Sequence, residues 1–91
     1  EVTTYTNGNT PTTATTLVTG FPVQSSILYY NGYIYFNTNS SSGAGYCYEV
    51  DGTTASEIWA TDADTYALGG MAIDNGYAVF GNDYNHLYIV Q

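Results

Sequence analysis

The chain repeats itself. The segment from Asn31 to Phe36 (NGYIYF) returns as Asn75 to Phe80 (NGYAVF), 44 positions further along. An apolar run precedes each copy, and another apolar run follows it. A repeat of this length predicts the same supersecondary unit twice, and each unit needs a neighbour against which to bury its apolar surface.

Each unit begins with a predicted hairpin, because Asn-Gly at 31–32 and at 75–76 supplies the positive φ angles of a two-residue type I′ turn. Third strands are predicted at 46–50 and 86–90, and a fourth strand at 56–60. Short strands at a period in the forties are typical of β-propeller blades. We therefore predict an all-β fold of about two antiparallel, four-stranded propeller blades without helix, the alternative being a small β-sandwich or barrel.

The predicted organisation has three parts: a Thr-rich strand and loop at 1–21, a first blade at 22–66 and a second, incomplete blade at 67–91. Val2 to Thr6 favours a strand that could serve as an outer strand of a blade, and Pro11 favours a loop at 9–13. The central strands are apolar at consecutive positions, so we expect both faces of each sheet to be covered.

Charge excludes several classes of partner. The chain has no Lys or Arg, eight Asp and Glu, and a formal net charge of −8. A protein without basic side chains cannot release counterions from a phosphate backbone, so we expect no nucleic-acid binding. No apolar stretch is long enough for membrane insertion. An acidic surface rich in hydroxyls and amides is typical of secreted and cell-surface proteins, so we expect an extracellular or cell-surface location.

The order of strand features resembles the repeat of the pyrroloquinoline-quinone-like (PQQ-like) β-propellers. The residues that carry this resemblance lie at 26–36, 45–51 and 57–59, and it spans roughly 22–91 as one complete and one partial blade. It implies a blade and not a cofactor. Quinoproteins of that family hold their quinone with a vicinal disulfide, basic side chains and calcium, whereas this chain has one Cys and no basic residue. We expect no cofactor.

Few residues are candidates for chemistry. Asp62 and Asp64 are weak metal-ligand candidates, because oxygen ligands at alternate loop positions can hold calcium, although a solvated loop is the simpler interpretation. His86 has no nucleophile placed with it by any motif, so we expect a locally hydrogen-bonded side chain. Cys47 lies between two Tyr in an apolar run and is predicted to be a buried, inert thiol. We predict no catalytic residue.

Tyr suits recognition surfaces, because it combines a large apolar area with a polar tip. Among the 11 Tyr, the three near predicted loops are the ligand-binding candidates: Tyr30, Tyr66 and Tyr84. Packing between blades is the expected role of Tyr35, Tyr48 and Tyr88. Trp59 is predicted to be buried in the fourth strand.

These observations favour a non-catalytic binding or scaffold module of a secreted or cell-surface β-propeller protein. The expected partners are other blades of the same protein or copies of this chain, with a glycan or a protein as ligand. A chain that begins at Glu1 without Met is interpreted as a fragment of a larger chain. Two alternatives remain: part of a propeller glycoside hydrolase or lyase with Asp62 and Asp64 as acid and base, or a self-assembling structural unit.

Overall fold

The structure is a computed structural model that describes residues 2–3, 14–15, 17, 22–51, 54–62, 66–67 and 69–91. These residues contain strands and no helix, as the sequence predicts. The strands are β1 (Val2–Thr3), β2 (Ala14–Thr15), β3 (Leu28–Tyr30), β4 (Tyr33–Asn37), β5 (Gly45–Asp51), β6 (Thr54–Ala60), β7 (Ala72–Asp74), β8 (Tyr77–Gly81) and β9 (Leu87–Val90).

Two antiparallel sheets form the body of the described structure. The first sheet has the strand order β3-β4-β5-β6, and the second sheet has the order β7-β8-β9. Among the described residues, the short strands β1 and β2 pair with each other and with no other strand, Val2 opposite Thr15 and Thr3 opposite Ala14. The suggestion that Val2 to Thr6 completes a blade is therefore wrong for Val2–Thr3, while 4–6 and the predicted loop at 9–13 lie outside the described residues.

The two predicted hairpins are confirmed, and they have the same register. Leu28 pairs with Tyr35 in the first hairpin, and Ala72 pairs with Val79 in the second. The turn residues have φ of 56° and 87° at Asn31 and Gly32, and of 50° and 82° at Asn75 and Gly76. Positive φ at both central positions matches the right-handed twist of the flanking strands, which is why Asn-Gly appears twice.

Strand β6, the fourth strand of the first sheet, contains an irregularity that the sequence pattern does not predict. Cys47 pairs with Trp59 and Tyr48 pairs with Glu57, so Ile58 is an extra residue of β6 with no partner in β5. Such a β-bulge bends its strand and turns neighbouring side chains toward the same side of the sheet. As a consequence, the consecutive residues Ile58 and Trp59 line the same cleft between the sheets.

The sheets pack face to face, and the closest approach lies at Gly45. A Cβ built on Gly45 would lie 2.6 Å from Cε1 of Phe80, closer than a real Cβ can approach. The Phe80 ring therefore rests on the backbone of the first sheet. Gly45 pairs with Asn37 at the end of β4, and Phe80 lies near the end of β8. The equivalent strands β4 and β8 thus both run toward this end of the structure, called here the closed end, where Phe80 lies against Gly45.

The buried apolar residues of the described chain lie in both sheets and beside the closed end: Phe36, Ala44, Cys47, Tyr48, Ala67, Ala78 and Phe80. Each sheet contains a stacked aromatic pair at equivalent register positions. The ring centroids of Phe36 and Tyr46 are 5.1 Å apart, and those of Phe80 and Tyr88 are 5.0 Å apart. Stacked pairs of this kind add to the stability gained from buried area alone.

Coverage of the two sheets differs. On the face of the first sheet that points away from the second, Phe36 and Tyr48 are buried, and the Tyr48 hydroxyl donates to the carbonyl oxygen of Leu17 at 3.2 Å. On the face of the second sheet that points away from the first, Leu87 and Ile89 are 68% and 64% exposed. Within the described residues no segment lies over that side, so the expected coverage of both faces is seen for the first sheet and not for the second.

Candidate functional site

A cleft of about 440 Å³ opens between the two sheets at the end opposite to Gly45 and Phe80. The two hairpin turns form its rim, with Asn31 on one side and Asn75 on the other. At the other end, the Phe80 ring lies against Gly45 and closes the space between the sheets.

The first sheet contributes an aromatic wall. Alternation along β4 places Tyr33 and Tyr35 on one face, and the pairing of Tyr35 with Cys47 and of Cys47 with Trp59 extends that face across three strands. The centroids of Tyr35 and Trp59 are 6.3 Å apart and their planes are inclined by 53°. These two rings form a corner of the cleft, and the 66% exposed Tyr30 stands at its mouth.

Trp59 is half-buried and not buried, so that prediction is wrong. The strand assignment is right, but no described element covers β6 from the open side of the cleft. Ile58, which is 51% exposed, lines the cleft beside Trp59. The bulge explains how two consecutive residues of one strand reach the same side, which regular alternation forbids.

The second sheet contributes a smaller wall with a polar edge. Ile73, Ala78 and Val90 pair across β7, β8 and β9 and face the aromatic wall. Asp74 and Tyr77 flank the turn at the rim. Among the described residues that line the cleft, Asp74 is the one acid, and the whole chain has no Lys or Arg.

Burial changes the acidity of two groups in the aromatic wall. Desolvation raises the pKa of the Tyr35 phenol, and the neighbouring Cys47 raises it further. Desolvation also raises the pKa of the Cys47 thiol, and a hydrogen bond with Tyr35 offsets part of that rise. Cys47 is 2% exposed, which confirms the predicted buried thiol. Both groups are neutral at physiological pH.

The structure separates the three Tyr that were predicted to bind ligand. Tyr30 lines the cleft, whereas Tyr66 and Tyr84 lie together at the β8–β9 turn, where the amide of Asp83 donates to the carbonyl of Tyr66 at 2.9 Å. The three residues do not form one site.

Of the residues predicted to pack, Tyr48 is buried, and the half-buried Tyr88 stacks on Phe80. Tyr35 is half-buried and lines the cleft, so its role is not packing alone.

Asp62 and His86 are not among the residues that line the cleft. Asp62 is exposed, and Asp64 lies outside the described residues. Within the described part of the chain, no group of three or more His, Cys, Asp and Glu side chains is arranged to hold a metal ion. The amide of His86 donates to Oδ1 of Asn82 at 3.2 Å, and the ring makes edge contacts with Tyr84 and Tyr88. His86 is thus bonded locally through its backbone, while hydrogen bonding of its side chain stays a prediction.

Sequence reasoning missed most of the cleft. The following lining residues were not predicted to form a ligand site: Tyr33, Tyr35, Ile58, Trp59, Asp74, Tyr77. The available signal was the repeat itself, since residues beside two equivalent turns must lie close together if the units stack in the same sense. The contribution of Ile58 depends on the bulge and had no signal in the pattern.

Comparison with protein-family models, with curated proteins and with solved structures found no match to this chain. Among the described residues, no helix has the length and apolar character needed to cross a membrane.

Proposed function

We propose that the protein is a non-catalytic binding or scaffold module built from β-propeller-type blades of the PQQ-like kind, and that it works as part of a larger stack of sheets. The further sheets belong either to a longer chain that contains this one or to other copies of it. A secreted or cell-surface location is part of the proposal, because hydroxyl and amide groups, rather than Lys and Arg, make its surface polar.

One observation carries this proposal. The two sheets share a register, but a face that is covered in the first sheet is exposed in the second. By register, Tyr77, Val79 and Ile89 of the second sheet correspond to Tyr33, Tyr35 and Cys47 of the first. The second sheet packs on that face of the first sheet. The equivalent face of the second sheet, called here the outer face (Tyr77, Val79, Gly81, Leu87, Ile89), stays exposed. A further sheet of the same repeat is the simplest partner for it.

The sense of stacking favours blades over a self-contained sandwich. Strands β4 and β8 run in the same direction from the cleft to the closed end, so one sheet follows the other by translation and rotation. This heterologous arrangement can continue, as in a ring or stack. A closed sandwich normally places polar residues on its outer sides, whereas Leu87 and Ile89 project from this one.

The composition of the cleft supports a binding role over hydrolysis. A glycoside hydrolase needs two carboxyl groups about 5–10 Å apart across the sugar. Asp74 is the one acid among the described lining residues, and Asp62 lies elsewhere. Incubation with a panel of polysaccharides separates the two classes: a binding module leaves chain length unchanged, whereas shortened products would establish the hydrolase or lyase alternative.

The association of sheets is tested by light scattering coupled to size-exclusion chromatography at micromolar concentration. We expect the isolated chain to run above its monomer mass of 9.8 kDa. The double variant Leu87→Ser/Ile89→Ser should run as a monomer, because it removes apolar surface from the outer face. The matched control Val23→Ser/Tyr84→Ser changes exposed apolar residues outside that face and should associate like the wild type.

A wild-type chain that is monomeric at 9.8 kDa and unfolds cooperatively would contradict the proposal. That result would establish a self-sufficient small sandwich or barrel. Association that persists unchanged in the Leu87→Ser/Ile89→Ser variant would show that another surface is responsible.

A further inference from the structure

The cleft between the sheets combines aromatic faces with negative charge. Rings from the first hairpin and from β6 line it, and they are Tyr30, Tyr33, Tyr35 and Trp59. Asp74 stands at the rim, and Glu49 lies directly opposite Tyr33 on the aromatic face of the first sheet. The described lining also includes the carboxamides of Asn31, Asn75 and Gln91.

The charge of the whole chain selects among ligands. A formal charge of −8 with no Lys or Arg repels anions and raises the local concentration of cations. Aromatic faces in proteins often pair with Lys or Arg of the same chain, but this chain has neither. The ring faces of the cleft therefore have no internal cation to bind, and they are available to one from solution.

From this arrangement we infer that the cleft binds a small organic ammonium ion with N-methyl groups, of the size and charge of choline. The rings of Tyr35 and Trp59 form the corner that receives the methyl groups, and Asp74, which flanks the second turn at the rim, places one negative charge near the mouth. A cation within about 6 Å of an aromatic centroid is attracted to the ring face, more strongly when water is displaced. The 6.3 Å separation of Tyr35 and Trp59 allows one such ion to touch both rings.

Trp59 is the single Trp of the chain, so its fluorescence reports on the cleft without labelling. The probes are choline chloride, neohexyl alcohol and cellobiose. Neohexyl alcohol is the neutral carbon isostere of choline, with a tert-butyl group in place of trimethylammonium. We expect choline to change the Trp59 emission saturably and to bind about tenfold more tightly than the isostere. Equal binding of the two would show an apolar cleft without cation recognition and would overturn the inference.

Cellobiose tests the competing ligand class. A neutral sugar that binds more tightly than choline would overturn the inference in favour of a glycan site. Phosphatidylcholine vesicles test a lipid-borne source of the same headgroup. We expect no binding to them, because the lipid phosphate carries the charge that this chain repels. Binding to vesicles without binding of free choline would also overturn the inference.

Two charge-matched variants locate the site. Asp74→Asn should weaken choline binding about threefold, as expected for loss of one exposed counter-charge. Asp83→Asn removes the same charge from the β8–β9 turn, away from the cleft, and should leave affinity within error of wild type. Equal weakening by both would mean that only the general field attracts the ion, which overturns a site at the cleft. Circular dichroism of each variant verifies the fold.

This inference rests on the proposed binding role but not on the association of sheets. The cleft lies within one chain, whereas association uses the outer face of the second sheet. Choline titration of the monomeric Leu87→Ser/Ile89→Ser variant separates the two. Loss of association with retained choline binding leaves both ideas standing, whereas association of the wild type without choline binding overturns the ligand alone.

Discussion

At the scale of single residues, the contact between the sheets depends on Gly45. The Phe80 ring occupies the space that any side chain at Gly45 would need. Phe80 is buried and is held by stacking on Tyr88, so it has little room to move away. The missing Cβ is therefore what lets the sheets approach, and its addition should be costly.

We predict that Gly45→Ala lowers the free energy of unfolding by about 1–3 kcal/mol, the usual cost of overpacking a core. Gly81→Ala is the matched control, since its Cβ would meet only the carbonyl oxygen of His86, at an ordinary 3.5 Å. Urea unfolding measures both. Adding Phe80→Leu to Gly45→Ala should recover part of the loss, and a Gly45→Ala protein as stable as wild type would contradict the packing described.

Three acidic groups, two buried and one half-buried, connect stability to pH. Burial raises the pKa of Tyr35, Cys47 and Tyr48, and the Glu57 carboxylate raises that of Tyr48 further. In the unfolded chain these groups release protons near their ordinary pKa values of 9.0 for Cys and 10.0 for Tyr. The folded chain holds the protons to higher pH. Stability is therefore complete below about pH 9 and falls as pH rises through the raised folded values.

The urea concentration at the unfolding midpoint should consequently decrease as the pH rises from about 9 to about 11. Tyr48→Phe removes one of the groups, so its midpoint should fall less steeply, although it starts lower through loss of the hydroxyl's bond to Leu17 or Glu57. Tyr84→Phe removes a phenol that is 66% exposed and should follow the wild-type profile. A wild-type midpoint independent of pH across this range would show that these groups are not buried in solution.

At the scale of elements, the two Asn-Gly turns set the registers on which both sheets depend. Gly32 and Gly76 have φ of 87° and 82°, which side chains rarely adopt, and open space surrounds the Cβ position of each. A substitution there is strained only through the backbone, so it measures the conformational cost of the turn alone.

We expect Gly32→Ala and Gly76→Ala each to lower the free energy of unfolding by about 1–2 kcal/mol. Gly69→Ala adds a methyl group to equally open space at a position without positive φ, and it should be neutral or slightly stabilising. Equal effects at all three positions would argue against type I′ turns.

These elements also show which structural features can be predicted from the sequence. The hairpins could be predicted because Asn-Gly between apolar runs is a local signal, sufficient in itself to place the turn and the register. The bulge at Ile58 could not, because it depends on the pairing of β6 with β5 and leaves no mark on the alternation of residues. Trp59 was predicted to be buried from its type alone, whereas its exposure depends on how far apart the sheets stand.

At the scale of the whole molecule, the repeat predicts that two similar units stack, but not which faces meet. The cleft arises from that choice: Phe80 and Gly45 close one end, and the hairpin tips remain apart at the other. Tyr30 could be recognised as a ligand candidate from its position beside a turn. The contribution of Asp74 required knowledge that the second turn faces the first across the cleft.

The face-to-face packing of the two sheets underlies the cleft, the exposed outer face and both proposals. The most direct measurement of it is the NMR spectrum of the Gly45 α protons. If the Phe80 ring rests on Gly45, these protons are shifted upfield by the ring current and show nuclear Overhauser contacts to the ring protons of Phe80. Gly45 α protons at ordinary shifts, without contacts to Phe80, would mean that the sheets do not pack as described and would contradict the account.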